Sequence, residues 1–230
     1  MDASYVDLAD PAHLEFDYMR WMRIILRAAR ARRVLHVGGG ACALARALAS
    51  EDPRGLQQVC EVDADVLAVA REHLGLRRAA GLRVRRAEGR AFVARQADGA
   101  WNAIAIDAFI AATVPRSLIT VEALTDAARV APLTLINVLD DRSARDVRRI
   151  GAALSEAYPQ VWALGHRAGN TIVAGSAGPL RLDRIGAQAA ADPSPARFTP
   201  PAAMARLVSG TAPLRDEDIG VIAARDRARR

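Results

Sequence analysis

A chain of 230 residues, 51% of them hydrophobic, is long enough for one α/β domain with its own core, and no apolar run approaches a membrane span, so we expect no membrane association. The net charge of +6 comes entirely from arginine, and only 4% of residues are aromatic, which leaves few platforms for stacking bases and predicts no specific nucleic-acid partner. Cys42 and Cys60 are too few for a disulfide framework or a metal site, so we expect no metal. Residues 1–4 are acidic overall where a signal peptide would be basic, which favours a cytoplasmic protein.

Apolar periodicity predicts helices and strands that alternate along the chain. Helix starts are expected where a capping residue precedes an apolar pattern: Asp10 before Pro11, Asp63, Thr120, and Ser143 with Asp146 as a capping box. The predicted strands cover residues 34–37, 57–62, 82–86, 101–106 and 133–138, and the segments 161–164 and 170–174 form a hairpin.

Strands that alternate with helices imply a parallel sheet with right-handed crossovers. We therefore predict an α/β fold with a Rossmann-like, doubly wound, mostly parallel sheet of about seven strands, one of them antiparallel. The predicted organisation is an N-terminal arm and helix over residues 1–32, a nucleoside-binding domain over 33–178, a helical appendage over 179–219, and a disordered basic tail over 220–230.

The sequence is most informative at residues 34–48, where a short apolar strand runs into Gly38, Gly39 and Gly40 and a helix follows at once. Glycine lets the backbone turn sharply and approach a ligand, because no Cβ is in the way. The free N–H groups of the helix then face whatever occupies the turn. The pattern is typical of a nucleotide-binding turn, although a tight structural connection would look similar.

Ligands of open α/β sheets bind beyond the carboxyl ends of the strands, and acidic residues follow three of the predicted strands here. Glu61, before Val62, lies at the spacing expected of an acid that accepts hydrogen bonds from ribose hydroxyls. Glu88 with Gly89 is positioned to bind an adenine amine and ring, and Asp107 to reach the reacting centre. Each has a simpler interpretation, as a helix cap or a solvated turn residue.

A dinucleotide oxidoreductase is a competing interpretation, because Gly38, Gly40 and Ala43 satisfy G-x-G-x-x-G/A. Three consecutive glycines with acids after the third and fourth strands fit a single adenosine better.

These motifs together resemble the spermidine synthase family, one of the Rossmann-like S-adenosylmethionine-dependent transferases. The resemblance covers about residues 15–177. Its motifs, in order, are Glu15-Phe16-Asp17-Tyr18, Arg33-Val34-Leu35-His36-Val37-Gly38-Gly39-Gly40, Glu61-Val62-Asp63-Ala64-Asp65-Val66, Glu88-Gly89, Asp107, and Pro115 with Leu118 and Thr120.

The resemblance implies the class I S-adenosylmethionine-dependent methyltransferase type of fold, a co-substrate that is S-adenosylmethionine or its decarboxylated form, and a small-molecule acceptor. It also implies that Asp107 is the catalytic base, that residues 38–40, 61–62 and 88–89 bind the nucleoside, and that a homodimer is possible.

The chain also departs from the family pattern. Ala41 replaces an Asp that holds the donor's amine, Met19 and Arg20 replace polyamine-binding residues, and residues 108–111 lack a second Asp. We therefore expect Arg20 to repel a polycationic amine. Two alternatives remain: a methyltransferase acting on a less cationic small molecule, and a degenerate, non-catalytic nucleoside-binding or scaffold protein.

Overall fold

The computed structural model describes residues 4–76 and 80–219 of the chain, so the tail predicted over 220–230 lies outside the described residues. Its centre is an eight-stranded sheet with the order β3-β2-β1-β4-β5-β7-β6-β8. The strands are β1 (Arg33–Gly38), β2 (Leu56–Glu61), β3 (Leu82–Arg86), β4 (Ala103–Asp107), β5 (Leu133–Asp140), β6 (Gln160–Gly165), β7 (Gly169–Ser176) and β8 (Arg197–Thr199).

Helices cover both faces of this sheet. They are α1 (Asp17–Ala28), α2 (Ala43–Glu51), α3 (Ala64–Glu72), α4 (Gly89–Ala94), α5 (Val121–Val130), α6 (Arg145–Ala157), α7 (Leu182–Ala190) and α8 (Pro201–Val208), with 3₁₀ turns at Arg116–Leu118 and Asp216–Ile219. Residues of α1, α2 and α7 share one buried cluster, and residues of α4, α5, α6 and α8 share the cluster on the opposite face.

The predicted fold class is confirmed. Strands β1 to β5 pair in parallel, while β7 pairs antiparallel with both β5 and β6. The sheet has eight strands rather than about seven, because Arg197–Thr199 adds β8 antiparallel to β6. The segment expected to be a helical appendage therefore also extends the sheet.

Two predicted helix starts are wrong. The carboxylate of Asp10 accepts the N–H of Ala12 (2.9 Å) and its carbonyl accepts that of His13 (3.1 Å), so the chain makes a turn there and α1 begins only at Asp17. The capping box at Ser143 is absent, because the Asp140 carboxylate, at the end of β5, accepts the N–H groups of Asp146 (2.8 Å) and Val147 (2.9 Å) instead.

The other two predicted caps are confirmed. The Asp63 carboxylate accepts the N–H of Asp65 at 2.8 Å, and the Thr120 hydroxyl accepts that of Ala123 at 3.1 Å. Within residues 4–76 and 80–219, no helix combines the length and the hydropathy that a bilayer crossing requires.

Candidate active site

The glycine turn lies directly beside the end of β4, because Gly38 is paired in register with Asp107. Gly38 has a φ of +76°, and a Cβ there would lie 2.6 Å from the Asp107 carbonyl and 2.8 Å from the Ala108 Cβ. Gly39 has a φ of +116° and open space around it. Gly38 therefore brings two strand ends into contact, whereas Gly39 leaves room for a ligand.

Two side chains from other elements hold the Asp107 carboxylate. The Tyr18 hydroxyl, in α1, donates to Oδ2 at 3.1 Å, and the Asn137 side-chain amide, in β5, donates to Oδ1 at 2.9 Å. Desolvation by the surrounding protein raises the Asp107 pKa above its ordinary value, although the two hydrogen bonds act to lower it. A fixed carboxylate with a raised pKa is suited to accepting a proton.

The sequence predictions missed Asn137 and did not assign Tyr18 to the site. Asn137 is 1% exposed within a mostly apolar strand, and its side-chain oxygen has no hydrogen-bond partner in the described structure. A polar residue near the end of a buried strand was the available signal.

Helix α1 presents Tyr18 because its first turn is anchored to the segment after α7. The guanidinium of Arg20 donates to both carboxylate oxygens of Asp192 at 3.0–3.2 Å, and the indole N–H of Trp21 donates to the Ser194 carbonyl at 3.1 Å. The Ser194 hydroxyl donates to the Asp17 carboxylate at 3.0 Å. Arg20 is therefore a neutralised structural group, not the free cation that we expected to repel an amine.

The predicted ribose acid, Glu61, ends β2 and is 9% exposed. Its Oε1 accepts the Asp63 N–H at 3.0 Å, and no described residue hydrogen-bonds to its Oε2. Val62 follows with 61% of its surface exposed. One carboxylate oxygen and an open apolar side chain thus lie at the edge where the glycine turn ends β1.

Glu88 is the N-cap of α4, and its two carboxylate oxygens accept the N–H groups of Arg90 (2.9 Å) and Ala91 (2.7 Å). A Cβ on Gly89 would lie 2.4 Å from a Val37 methyl group, so this glycine lets α4 pack against β1. Both residues have a structural role that is sufficient without a ligand, and their predicted contact with adenine stays a prediction.

The loop after Asp107 is apolar and exposed. Phe109 and Ile110 are 37% and 69% exposed, and Ala111 has a φ of +56°. In the described ranges 4–76 and 80–219, no group of three or more His, Cys, Asp or Glu side chains is placed to hold a metal ion.

A small cavity lies beneath the glycine turn, between α1, α2 and the central strands. It is lined by Met19, His36, Gly38, Gly39, Cys42, Leu44, Ala45, Val59, Ala105 and Asp107. His36 and Asp107 supply its ionisable groups apart from the Cys42 thiol, whose pKa burial raises to about 12. Cys42 is therefore a protonated, unreactive wall residue.

No protein-family model and no curated protein sequence matches this chain. Solved structures do. A probable spermidine synthase from Corynebacterium glutamicum superimposes with a TM-score of 0.82 and 27% identity, over 90% of this chain and 82% of that one. The chain has a spermidine-synthase-like fold.

Two further structures match this spermidine-synthase-like fold at lower identity. A spermidine synthase in complex with the transition-state analogue AdoDATO matches with a TM-score of 0.62 and 16% identity, over 90% of this chain and 76% of that one. Human methyltransferase-like protein 13, in complex with SAH, matches with a TM-score of 0.61 and 16% identity, over 92% of this chain and 99% of that one. The fold is thus shared with a spermidine synthase and with a methyltransferase-like protein.

Proposed function

We propose that this chain is a transferase that binds an S-adenosylmethionine-type nucleoside and moves an aminopropyl or methyl group from its sulfonium to a small acceptor, with Asp107 as the general base. The observation that carries the proposal is the position of Asp107: beside the glycine turn, in a desolvated setting, and fixed by Tyr18 and Asn137. The likeness to spermidine synthases supports it.

The proposed step is a direct displacement. The lone pair of a neutral acceptor attacks the carbon next to the sulfonium, the carbon–sulfur bond breaks, and its electron pair leaves with sulfur as a neutral thioether. The proton released by the acceptor goes to the Asp107 carboxylate. Tyr18 and Asn137 orient that carboxylate, so positioning supplies a large part of the rate.

The nucleoside lies across the carboxyl ends of β1, β2 and β3 in this proposal. The turn of residues 38–40 is next to the reacting end of the donor, and the open Oε2 of Glu61 accepts from the ribose hydroxyls. In this arrangement Val62 contacts the adenine base, and Glu88 and Gly89 lie at the edge of the base that is farther from the glycine turn.

The acceptor is a small molecule with less positive charge than a polyamine, and not a nucleic acid. The nearby acids already have partners: Asp17 contacts Ser194 and His166, and Asp140 caps α6. The loop that follows Asp107 is apolar. A dication would lack carboxylates to offset its desolvation, so putrescine and spermidine should be poor substrates.

The test is calorimetric titration with S-adenosylmethionine, its decarboxylated form and methylthioadenosine, followed by turnover assays with neutral, monocationic and dicationic amines. We expect binding of at least one sulfonium donor and turnover with acceptors of low charge. Efficient aminopropyl transfer to putrescine would contradict the acceptor assignment. Nucleoside binding without any turnover would favour the non-catalytic alternative.

A further inference from the structure

His36 is a buried imidazole that the proposed reaction does not use. It lies two residues before Gly38, the first glycine of the turn, is 5% exposed, and lines the cavity that also contains Asp107. Its Nε2 lies 2.9 Å from Oε1 of Gln57. A buried polar side chain in a wall of aliphatic, glycine and sulfur-containing residues calls for a functional explanation.

The surrounding hydrogen bonds determine which His36 nitrogen carries the proton. The Gln57 side-chain nitrogen faces the Arg32 carbonyl at 3.4 Å, so its oxygen faces His36. An amide oxygen only accepts, and therefore Nε2 of His36 must be the donor. The lone pair is then on Nδ1, to which no described residue hydrogen-bonds.

His36 keeps this lone pair at neutral pH. Burial lowers its pKa to about 4, because the charged imidazolium is poorly solvated there. The cavity thus offers two hydrogen-bond acceptors, a neutral imidazole nitrogen and the Asp107 carboxylate, beneath the turn that faces the donor.

We propose that His36 is a donor-specificity residue whose Nδ1 accepts a hydrogen bond from the primary ammonium on the donor chain beyond the sulfonium. This inference rests on the proposed function and names the group recognised at that same site. An ammonium has three N–H donors and binds poorly in an apolar cavity without acceptors. Ala41 supplies no carboxylate at the turn, whereas His36 and Asp107 provide an acceptor and a balancing charge.

Two isosteric variants test the assignment. In His36→Gln the side-chain amide nitrogen takes the place of Nε2 and keeps the bond to Gln57, but no acceptor replaces Nδ1. In His36→Asn the side-chain oxygen takes the place of Nδ1 and the bond to Gln57 is lost. Dissociation constants are measured for S-adenosylmethionine, its decarboxylated form, and methylthioadenosine, which lacks the ammonium.

We expect His36→Gln to weaken binding of the sulfonium donors about tenfold, the scale of one hydrogen bond to a charged group, with methylthioadenosine affected less than twofold. His36→Asn should bind donors more tightly than His36→Gln. Unchanged donor affinity in folded His36→Gln, or an equal loss for all three ligands, would overturn the role of His36 alone. A wild-type protein that binds none of the three overturns the proposed function itself.

A measurement on the wild type covers the case in which the variants do not fold. The ¹⁵N resonance of His36 Nδ1 should shift when either sulfonium donor is added and stay in place with methylthioadenosine. No shift at saturating donor would overturn the inference.

Discussion

The two sides of Asp107 are built in different ways. The proposed donor side comes from one part of the chain, because β1, the glycine turn, Glu61 and Glu88 all lie within residues 33–89. The other side is assembled from distant parts: Tyr18 is 89 residues before Asp107, Asn137 is 30 residues after it, and Asp192 fastens α1 from 172 residues beyond Arg20. The proposed donor site thus draws on one part of the chain, whereas the proposed catalytic site depends on elements that are far apart in sequence.

The largest expected effect is the loss of turnover, without loss of nucleoside binding, when Asp107 is replaced. Asp107→Asn keeps the shape but cannot serve as a base, so turnover should fall by roughly 10²–10⁴-fold, the usual contribution of general-base catalysis. Affinity for methylthioadenosine, which lacks the ammonium that Asp107 is proposed to balance, should stay nearly unchanged. Steady-state kinetics and calorimetry measure the two, and full activity of the variant would exclude Asp107 as the base.

The same variant should be more stable than the wild type at pH 7. Because the pKa of Asp107 is raised in the folded state, the folded protein loses stability as pH rises through that value and the carboxyl ionises. Asn at position 107 removes this cost. If the side-chain amide of Asn137 flips, its unpaired oxygen can accept a hydrogen bond from the new amide at position 107. The gain in melting temperature should disappear as the pH approaches 3.8, the ordinary Asp value.

The next effect tests the contact between the glycine turn and β4. Gly38→Ala adds a Cβ at a φ of +76° that meets the Asp107 carbonyl and Ala108, whereas Gly210→Ala adds one at a φ of +74° with nothing within 4 Å. Gly210→Ala should cost about 1 kcal/mol from backbone strain alone. Gly38→Ala should cost at least ~2 kcal/mol more, in the range of an overpacked site. Urea unfolding measures both, and equal costs would mean that the close contact is unimportant.

A smaller effect is expected on nucleoside affinity when Glu61, the proposed ribose-binding acid, is replaced. Glu61→Ala should weaken nucleoside binding by about 1.5–3 kcal/mol, the range for hydrogen bonds to a charged group. Turnover at saturating donor should change less than affinity does. Titration with methylthioadenosine measures the loss, and an unchanged affinity in the folded variant would remove Glu61 from the site.

The smallest effect concerns the anchor of α1. A double-mutant cycle on Arg20 and Asp192, whose side chains are 19% and 7% exposed, should give a coupling of about 1–3 kcal/mol. The Arg181–Asp183 pair has similar chemistry, but its side chains are 63% and 66% exposed, and its coupling energy should be less than about 1 kcal/mol. Asp192→Ala should also lower turnover while leaving donor affinity unchanged, because α1 carries Tyr18. Equal coupling in the two pairs would argue against the anchor.

Most of the sheet and the glycine turn could be predicted because their signals are local. Apolar runs, capping residues such as Asp63 and Thr120, and the glycines each act within a few residues of where they occur. Two of the failures share a physical cause, which is competition from a partner that the local sequence pattern does not show. Asp140 caps α6 ahead of Ser143, and Asp192 neutralises Arg20. Neither Asn137 nor β8 could be placed without knowing which strands are neighbours.

The anchor between Arg20 and Asp192 has a consequence for the order in which the protein becomes competent during synthesis. A ribosome makes Asp192 172 residues after Arg20, when the glycine turn and every strand from β1 to β7 have already been translated. A nascent chain at that stage contains the segments that we propose to bind the donor, but it lacks the Arg20–Asp192 anchor that orients the phenol of Tyr18. We expect such a chain to acquire affinity for the nucleoside before it can turn over, with chemical competence arriving only as residues 192–194 emerge.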